Sequence, residues 1–343
     1  MGKIKVGVAG LGIGKRHAME YLESKKAKVV AVADINKKLL KEFCSQYNVK
    51  GYRSLEEMLK NERLDGISIC TPPSSHLALV KLAAENKVHV LCEKPIAPTI
   101  NDAKKMIKVC RKKKVKLMIG FKKRFSPTYQ FLKERFEKEF RKPTWVFAKF
   151  VIGRVDSEWF WKEDDGGGPI VENTIHIIDL LRFLIGDIER VYGEGGTLFL
   201  NRRFPQIDGA VFTMKFRNKT VASIGAGYAS EWKTAREEIS FANEKIVGEV
   251  SGKIDYPDNL YYFCRDKPEK MYKKRFLNSE GFKGEIKHFL ECIMDDKSPL
   301  ASGEDGLEAL KISLAVKKSI RTGKVSRINC ETYLGGKQVR REF

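Results

Sequence analysis

A chain of 343 residues with 42% apolar side chains is long enough for two domains, or one unusually large one, with substantial buried cores. It contains no apolar run near the roughly 18 residues of a membrane span, and Met1–Gly10 lacks the charged, apolar and cleavage regions of a secretory signal, so no membrane role is expected. The net charge of +21, from 65 Lys and Arg against 44 Asp and Glu, admits nucleic acid, an acidic surface or anionic small molecules as partners. That excess is dispersed apart from Arg111–Lys116 and Lys122–Arg124, and no zinc finger or RNP-like strand accompanies it, which argues against nucleic acid. The seven cysteines form no CxxC pair and read as reduced thiols of a cytoplasmic protein. His17, His76, His89, His176 and His288 stand far apart with no cysteine cluster beside them, so no metal site is expected.

Taken in chain order, Lys3–Ala9 reads as a buried strand and is followed by the glycine-rich run Gly10–Gly14 and a helix over Arg16–Ser24. Strand-like Lys28–Ala33 ends at Asp34. A helix over Lys37–Tyr47 and a short one over Leu55–Leu59 come next. Strands Gly66–Cys70, Val88–Cys92 and Lys116–Phe121 then alternate with helices Ser75–Ala84 and Asn101–Cys110. Short apolar runs separated by helices predict right-handed βα crossovers around a parallel sheet. The rhythm changes near residue 122. A helix around Pro127–Phe140 and a strand Trp145–Ile152 precede Gly166–Gly168, and Ile170–Leu184 reads as one helix with an apolar side. Longer strands follow at Val191–Leu200, Gly209–Phe216, Thr220–Tyr228, Glu237–Phe241 and Lys245–Val250, some joined by hairpin-like turns. Phe282–Met294 and Leu307–Thr322 are closing helices. The reading is an α/β domain over residues 1–122 and an α+β domain with a largely antiparallel open sheet over 123–343, the last helix packing near the first domain.

Gly10-Leu11-Gly12-Ile13-Gly14 lies between a strand and a helix, where glycines permit a tight turn and let a pyrophosphate approach backbone N–H groups at the helix N-terminus. Its spacing, G-x-G-x-G, is one residue short of the full G-x-G-x-x-G. Asp34 ends the second strand, where a carboxylate accepts hydrogen bonds from ribose hydroxyls and repels a 2′-phosphate. This favours NAD, while Lys37 and Lys38 leave NADP possible. Thr71-Pro72-Pro73 makes a rigid shelf at the carboxyl edge of the next strand, where ligands of parallel sheets collect, with His76 in the turn that follows. A purely structural loop explains this fragment equally well.

Glu93-Lys94-Pro95 follows Val88–Cys92 at the same edge. Transfer of hydride from an alcohol needs a group to take the hydroxyl proton, and a lysine serves when its surroundings favour the neutral amine. In the second half, Glu172, His176 and Asp179 have helical i,i+4 and i,i+3 separations that put them on neighbouring parts of one face, as either a substrate clamp or a polar seam.

Thr71–His76, Leu91–Pro95, Gly166–Asp179, Ser302–Leu310 and Ser319–Val325, in this order and spacing, resemble the glucose–fructose oxidoreductase / inositol dehydrogenase (Gfo/Idh/MocA) family over nearly the whole chain. The resemblance implies an N-terminal Rossmann domain and a C-terminal α/β domain whose open sheet forms homodimers or homotetramers. It implies oxidation or reduction of a sugar, inositol or sugar derivative with NAD or NADP. By the same resemblance Lys94 stands beside the nicotinamide and the reacting hydroxyl, His176 is the second catalytic group, and Asp179 frames the site. Cofactor contacts are expected from Gly10, Gly12, Ile13, Gly14, Asp34, Thr71, Pro72, His76 and Glu93, and substrate contacts from Arg124, Glu172 and Asp179. Glu172 stands where many members have Asp, which bears on substrate choice. Two rival readings are a nucleotide-sugar dehydrogenase and a non-catalytic, dinucleotide-binding regulatory protein.

Overall fold

The structure, a computed structural model, describes residues 2–153, 155–199, 206–277, 279–329, 331–334 and 337–340. In chain order the first elements are β1 (Ile4–Ala9), α1 (Gly14–Glu23), β2 (Ala27–Ala33), α2 (Lys37–Tyr47), β3 (Lys50–Tyr52) and α3 (Leu55–Asn61). They are followed by β4 (Gly66–Ile69), α4 (His76–Glu85), β5 (His89–Cys92), α5 (Ile100–Lys113), β6 (Leu117–Ile119) and α6 (Pro127–Lys138). Then come β7 (Trp145–Gly153), α7 (Glu158–Trp161), α8 (Pro169–Glu172), α9 (Ile175–Ile185), β8 (Ile188–Gly196), β9 (Gly209–Phe216) and β10 (Val221–Ser230). The chain ends with β11 (Arg236–Ala242), β12 (Ile246–Lys253), β13 (Tyr256–Cys264), β14 (Lys267–Arg275), α10 (Phe282–Met294), α11 (Gly303–Thr322), β15 (Ser326–Arg327), β16 (Glu331–Leu334) and β17 (Lys337–Arg340).

Two compact units result. The first comprises Met1–Ser126, Glu158–Gly167 and Glu280–Leu307, and the second Pro127–Ser157, Gly168–Ser279 and Glu308–Phe343. Instead of one boundary after residue 122, the chain first crosses after Ser126 and then returns twice to the first unit. The first turn of α11 counts with the first unit and its remainder with the second.

In the first unit six parallel strands pair in the order β3-β2-β1-β4-β5-β6. β4 and the apolar half of β1 are buried on both faces, which is why they read as continuous apolar runs rather than alternating ones. Helix starts follow ordinary capping chemistry: Asn36 Oδ1 accepts from Lys38 and Leu39 N–H, Ser54 Oγ from Glu57 N–H, and Thr99 Oγ1 from Asp102 N–H. β3 was not expected. It has three residues, Lys50-Gly51-Tyr52, too few to show a period, and it forms only through its parallel partner β2.

The second unit is built on a nine-stranded sheet ordered β14-β13-β12-β11-β7-β10-β9-β8-β15. Every pairing is antiparallel except β10 with β7. Val146, Phe150, Phe212, Ile224, Ile239 and Phe241 alternate onto one buried face, and Phe136 of α6 packs edge-on against Phe241 at 5.2 Å between ring centres. Each such ring contributes about 1.5–3 kcal/mol by leaving water. The strand expected over Val191–Leu200 begins earlier, at Ile188, and Leu200 lies outside the described residues. β13 and β14 were not expected. Lys267–Arg275 is an exposed edge strand whose lysines hide the alternation that identifies a half-buried one.

The helix expected over Ile170–Leu184 is two helices. α8 ends at Glu172, and Thr174 N–H bonds back to the Pro169 carbonyl (2.9 Å), five residues earlier, before α9 starts at Ile175. The regular i,i+4 relation between Glu172 and His176 is therefore broken, whereas His176 and Asp179 share α9.

Candidate active site

The strands of the first sheet end level with one another, since Ala9 pairs with both Ala33 and Ile69, and Cys92 with both Ile69 and Ile119. The ladder then continues one residue further: Gly10 N–H bonds to Ala33 O (2.8 Å), Cys70 N–H to Ala9 O (2.7 Å), Glu93 N–H to Ile69 O (2.9 Å) and Gly120 N–H to Cys92 O (2.8 Å). Gly10, Asp34, Thr71 and Lys94 are thereby held along one carboxyl edge, around the β1/β4 switch of a 3-2-1-4-5-6 sheet.

The short glycine loop suits a dinucleotide on the structure's own terms. Gly10 has φ +88°, and a Cβ there would lie 2.6 Å from the Cys70 carbonyl oxygen. Gly14 is pressed against β1 and β4, since a Cβ would meet Val8 Cγ1 at 2.9 Å and Cys70 Cβ at 3.1 Å. Gly12 differs: a Cβ would meet nothing within 4 Å, so this is the open position of the turn. Tight turn, close helix packing and open backbone are the three requirements of a pyrophosphate cradle, and no side chain caps α1 behind it. Ile13 is exposed on the same turn.

Asp34 closes the loop. Its Oδ2 accepts Leu11 N–H at 2.6 Å, which ties it to the glycine turn, and its Oδ1 accepts Asn36 N–H at 2.7 Å. A carboxylate has lone pairs beyond these two bonds for a ribose diol. The next residue, Ile35, is 83% exposed and places an apolar side chain beside that carboxylate, a feature the sequence reading missed.

Thr71 Oγ1 lies 2.6 Å from Ser75 Oγ, and Ser75 Oγ donates to Pro72 O at 2.8 Å, so the shelf is internally braced. His76 was expected to reach the cofactor, but it is fully buried. Its Nε2 is 2.9 Å from Thr71 O and its Nδ1 is 3.2 Å from both Pro95 O and Ile96 O, so its ring spans the shelf and the Lys94 loop. Burial lowers its pKa despite these carbonyls, which leaves a neutral ring donating on one side.

Glu93 also turns inward rather than toward a cofactor. Its Oε1 lies 3.1 Å from His17 Nε2, and its Oε2 accepts Lys94 N–H at 3.1 Å. His17 Nδ1 faces Ser68 Oγ, which in turn faces Tyr21 OH. Lys94 itself is half-buried. His17, Tyr21 and Ser68 escaped the sequence reading, although the i,i+4 spacing of His17 and Tyr21 on α1 was available.

Arg124 was expected to touch substrate. Its guanidinium instead donates to Leu300 O (2.6 Å) and pairs with Asp305 (3.0 Å). These bonds fix it against the start of α11. The Gly166–Gly168 run makes a tight turn: Gly167 and Gly168 have φ +70° and +76°, and Gly166 N–H bonds to Trp159 O. Asp165 beside it accepts Ser74 N–H at 2.8 Å, anchoring the segment to the Thr71 shelf.

In the second unit Glu172, His176 and Asp179 are all buried, at 9%, 6% and 1% exposure, so each polar group there needs internal partners. Tyr228 of β10 joins them unannounced by the sequence. Burial pushes its phenol up, the charges of Glu172 and Asp208 push it further, and a hydrogen bond with Asn173 works against both. Asp208 caps the backbone of Leu198 and Phe199.

Residues 4–121 match the family described as "Oxidoreductase family, NAD-binding Rossmann fold", and residues 143–328 match "Oxidoreductase family, C-terminal alpha/beta domain". The uncharacterized oxidoreductase YrbE of Bacillus subtilis is 27% identical over 333 residues, covering 94% of this chain and 95% of its own. Myo-inositol 2-dehydrogenase of Thermotoga maritima is 27% identical over 342 residues, covering 92% and 96%. The crystal structure of the WlbA dehydrogenase from Bordetella pertussis, in complex with NADH and UDP-GlcNAcA, shares the fold with a TM-score of 0.81 at 24% identity, covering 95% of this chain and 99% of that one.

Proposed function

We propose, for a chain that belongs to the oxidoreductase family with an NAD-binding Rossmann fold and a C-terminal α/β domain, that Lys94 exchanges the hydroxyl proton while hydride moves between NAD(P) and a carbon of a sugar, inositol or sugar derivative. The observation that carries this reading is the placement of Lys94 on the same strand edge as Gly12 and Asp34, half-buried, with its backbone held by Glu93. The dinucleotide, when bound, accepts or supplies the hydride.

The protein's own residues do the rest. Gly10, Gly12, Ile13 and Gly14 present backbone to the pyrophosphate, Asp34 takes the ribose diol and favours NAD over NADP, and Thr71 and Pro72 floor the site. The Lys94 amine accepts the hydroxyl proton during oxidation and returns it during reduction. His176 and Glu172 hydrogen-bond substrate hydroxyls, with Asp179 framing that part of the second unit. Arg124 keeps a framing part, since its described bonds lie within the first unit.

Among relatives, the names myo-inositol 2-dehydrogenase and a complex with UDP-GlcNAcA support two substrate classes, a free polyol and a nucleotide sugar. The polyol or free sugar is our first reading. We also assign a homo-oligomer formed through the outer face of the nine-stranded sheet, where Trp145, Phe147, Val211, Val221 and Val247 are exposed. Among the described residues no helix is long and apolar enough to cross a membrane, and six cysteines are free thiols, in keeping with a cytoplasmic setting.

The test is the absorbance of NADH and NADPH formed over a panel of inositols, free sugars and nucleotide sugars. Lys94→Ala should lose roughly 10²–10⁴-fold in kcat with the substrate so found, while still binding NADH. Full turnover in that variant removes Lys94 from proton transfer. Tight NADH binding by the unaltered protein with no turnover on any panel member favours the regulatory reading.

A further inference from the structure

Beneath Lys94 lies a line of buried polar contacts that hydride transfer does not itself require. Tyr21 OH and Ser68 Oγ are 3.0 Å apart, Ser68 Oγ and His17 Nδ1 3.1 Å, and His17 Nε2 and Glu93 Oε1 3.1 Å. The line ends where Glu93 Oε2 accepts the backbone N–H of Lys94. It runs from α1 through β4 to the end of β5, and His17, Tyr21 and Ser68 are fully shielded from solvent.

A buried carboxylate is costly unless it is paired and hydrogen-bonded. Burial works against ionisation of Glu93, but the His17 hydrogen bond and the charges of His17, Lys94 and Lys122 outweigh it and hold the carboxyl below its usual range. Glu285 faces the same cluster with the opposite outcome: burial, then the Glu93 charge, push it well above the usual range, against Lys122. Glu285 is therefore the neutral acid and Glu93 the anion. The thiols of Cys70 and Cys92, also within reach of the Glu93 charge, are pushed up by burial and remain neutral.

The ligand atoms of His17, Glu93 and Glu285 lie within 4.8 Å of one another, a spacing that suits a metal ion. Lys122, however, brings an ammonium whose charge already acts on both carboxyl groups, with its Nζ 4.3 Å from the Phe282 ring centre. A divalent ion would meet that cation, so the cluster's charge is already answered by a lysine. Gly120 completes the fit: a Cβ there would lie 2.9 Å from Glu93 Oε1, so the end of β6 leaves room for this carboxylate.

We propose that Glu93, anchored by His17, is a positioning residue for Lys94: its carboxylate holds the Lys94 backbone N–H at the end of β5. The inference rests on the assignment of Lys94 to proton transfer. Glu93→Gln keeps the shape and removes the charge, while Gly120→Ala keeps the charge and displaces the carboxylate. Both are compared with the unaltered enzyme and Lys94→Ala for kcat, KM and NADH affinity by fluorescence. Both are expected to lose on the order of tenfold to a hundredfold in kcat with NADH affinity kept within about twofold. The loss should fall on kcat with KM held within about twofold, because a displaced Lys94 impairs the transfer step rather than substrate binding. Wild-type kcat in Glu93→Gln, with Lys94→Ala inactive, overturns the positioning role and leaves the Lys94 assignment standing. Wild-type turnover in Lys94→Ala overturns that assignment, and this inference with it. If Glu93→Gln does not fold, judged by thermal melting, Gly120→Ala decides: lost kcat supports the role and wild-type kcat ends it.

Discussion

Glu285 sits on α10 among Phe282, Ile286 and Phe289, fully buried, with neither carboxyl oxygen hydrogen-bonded among the described residues. The signal was present in the sequence, because position 285 falls on the apolar stripe of that helix, and an acid there is the exception. Its raised pKa has a consequence for stability. The folded protein keeps this proton at pH values where the unfolded chain, with a carboxyl near 4.3, has released it. The folded state thus binds more protons, and its stability, complete below that value, declines as pH rises above it. Glu285→Gln, the neutral isostere, should remove this loss. Melting followed by circular dichroism should show a gain of roughly 2–4 °C over the unaltered protein at pH 8 that shrinks at pH 5. An equal difference at both pH values would mean that Glu285 titrates alike in the folded and unfolded chain.

At the scale of elements, legibility followed the range of the signal. The turn between β1 and α1 and the Asp34 strand end were readable because glycine spacing, apolar strand and helix start are all local. β3, β13 and β14 were not: the tripeptide β3 is too short to show a period and forms only against β2, and β14 is a lysine-rich edge strand whose exposed side chains hide its hairpin pairing with β13. The break between α8 and α9 was also hidden, since it depends on the Thr174 bond to Pro169 rather than on a helix-breaking residue at the junction. Burial had the same limit: Glu93 and His76 were expected at the cofactor and Arg124 at the substrate, but which way each side chain turns was decided by His17, Pro95 and Asp305. The turn itself gives a discriminating pair of variants. Gly10→Ala forces a left-handed φ on alanine and a Cβ against the Cys70 carbonyl, and should cost about 1–3 kcal/mol in urea unfolding. Gly12→Ala meets nothing within 4 Å and should leave stability unchanged while weakening NADH binding several-fold, because its methyl enters the open position of the cradle. Unchanged NADH affinity in Gly12→Ala would place the pyrophosphate elsewhere.

At the scale of the whole molecule, the charge of +21 and the apolar sheet face make opposite demands. Net charge keeps copies apart, whereas the outer face of the nine-stranded sheet carries Trp145, Phe147, Val211 and Val247 at 40%, 51%, 60% and 56% exposure. The alternation along β7 explains this face: Val146, Ala148 and Phe150 point to the core, so Trp145, Phe147 and Lys149 point outward. The apolar residues lie side by side across strands, Trp145 opposite both Val221 and Ala242, and Ala242 opposite Val247, so the apolar row is continuous rather than scattered. A monomer would leave that row in water, whereas in the homo-oligomer we propose a second copy of the same face would cover it by a self-complementary contact. Phe147→Glu combined with Val247→Glu puts four carboxylates into such a two-fold contact and should reduce the assembled mass to that of one chain, measured by light scattering, with melting temperature lowered by the lost association. The substitutions lie on the solvent side of the sheet, so each chain should keep its fold and its NADH binding. An unchanged assembled mass would mean that association uses another face, and would leave the apolar row without this explanation.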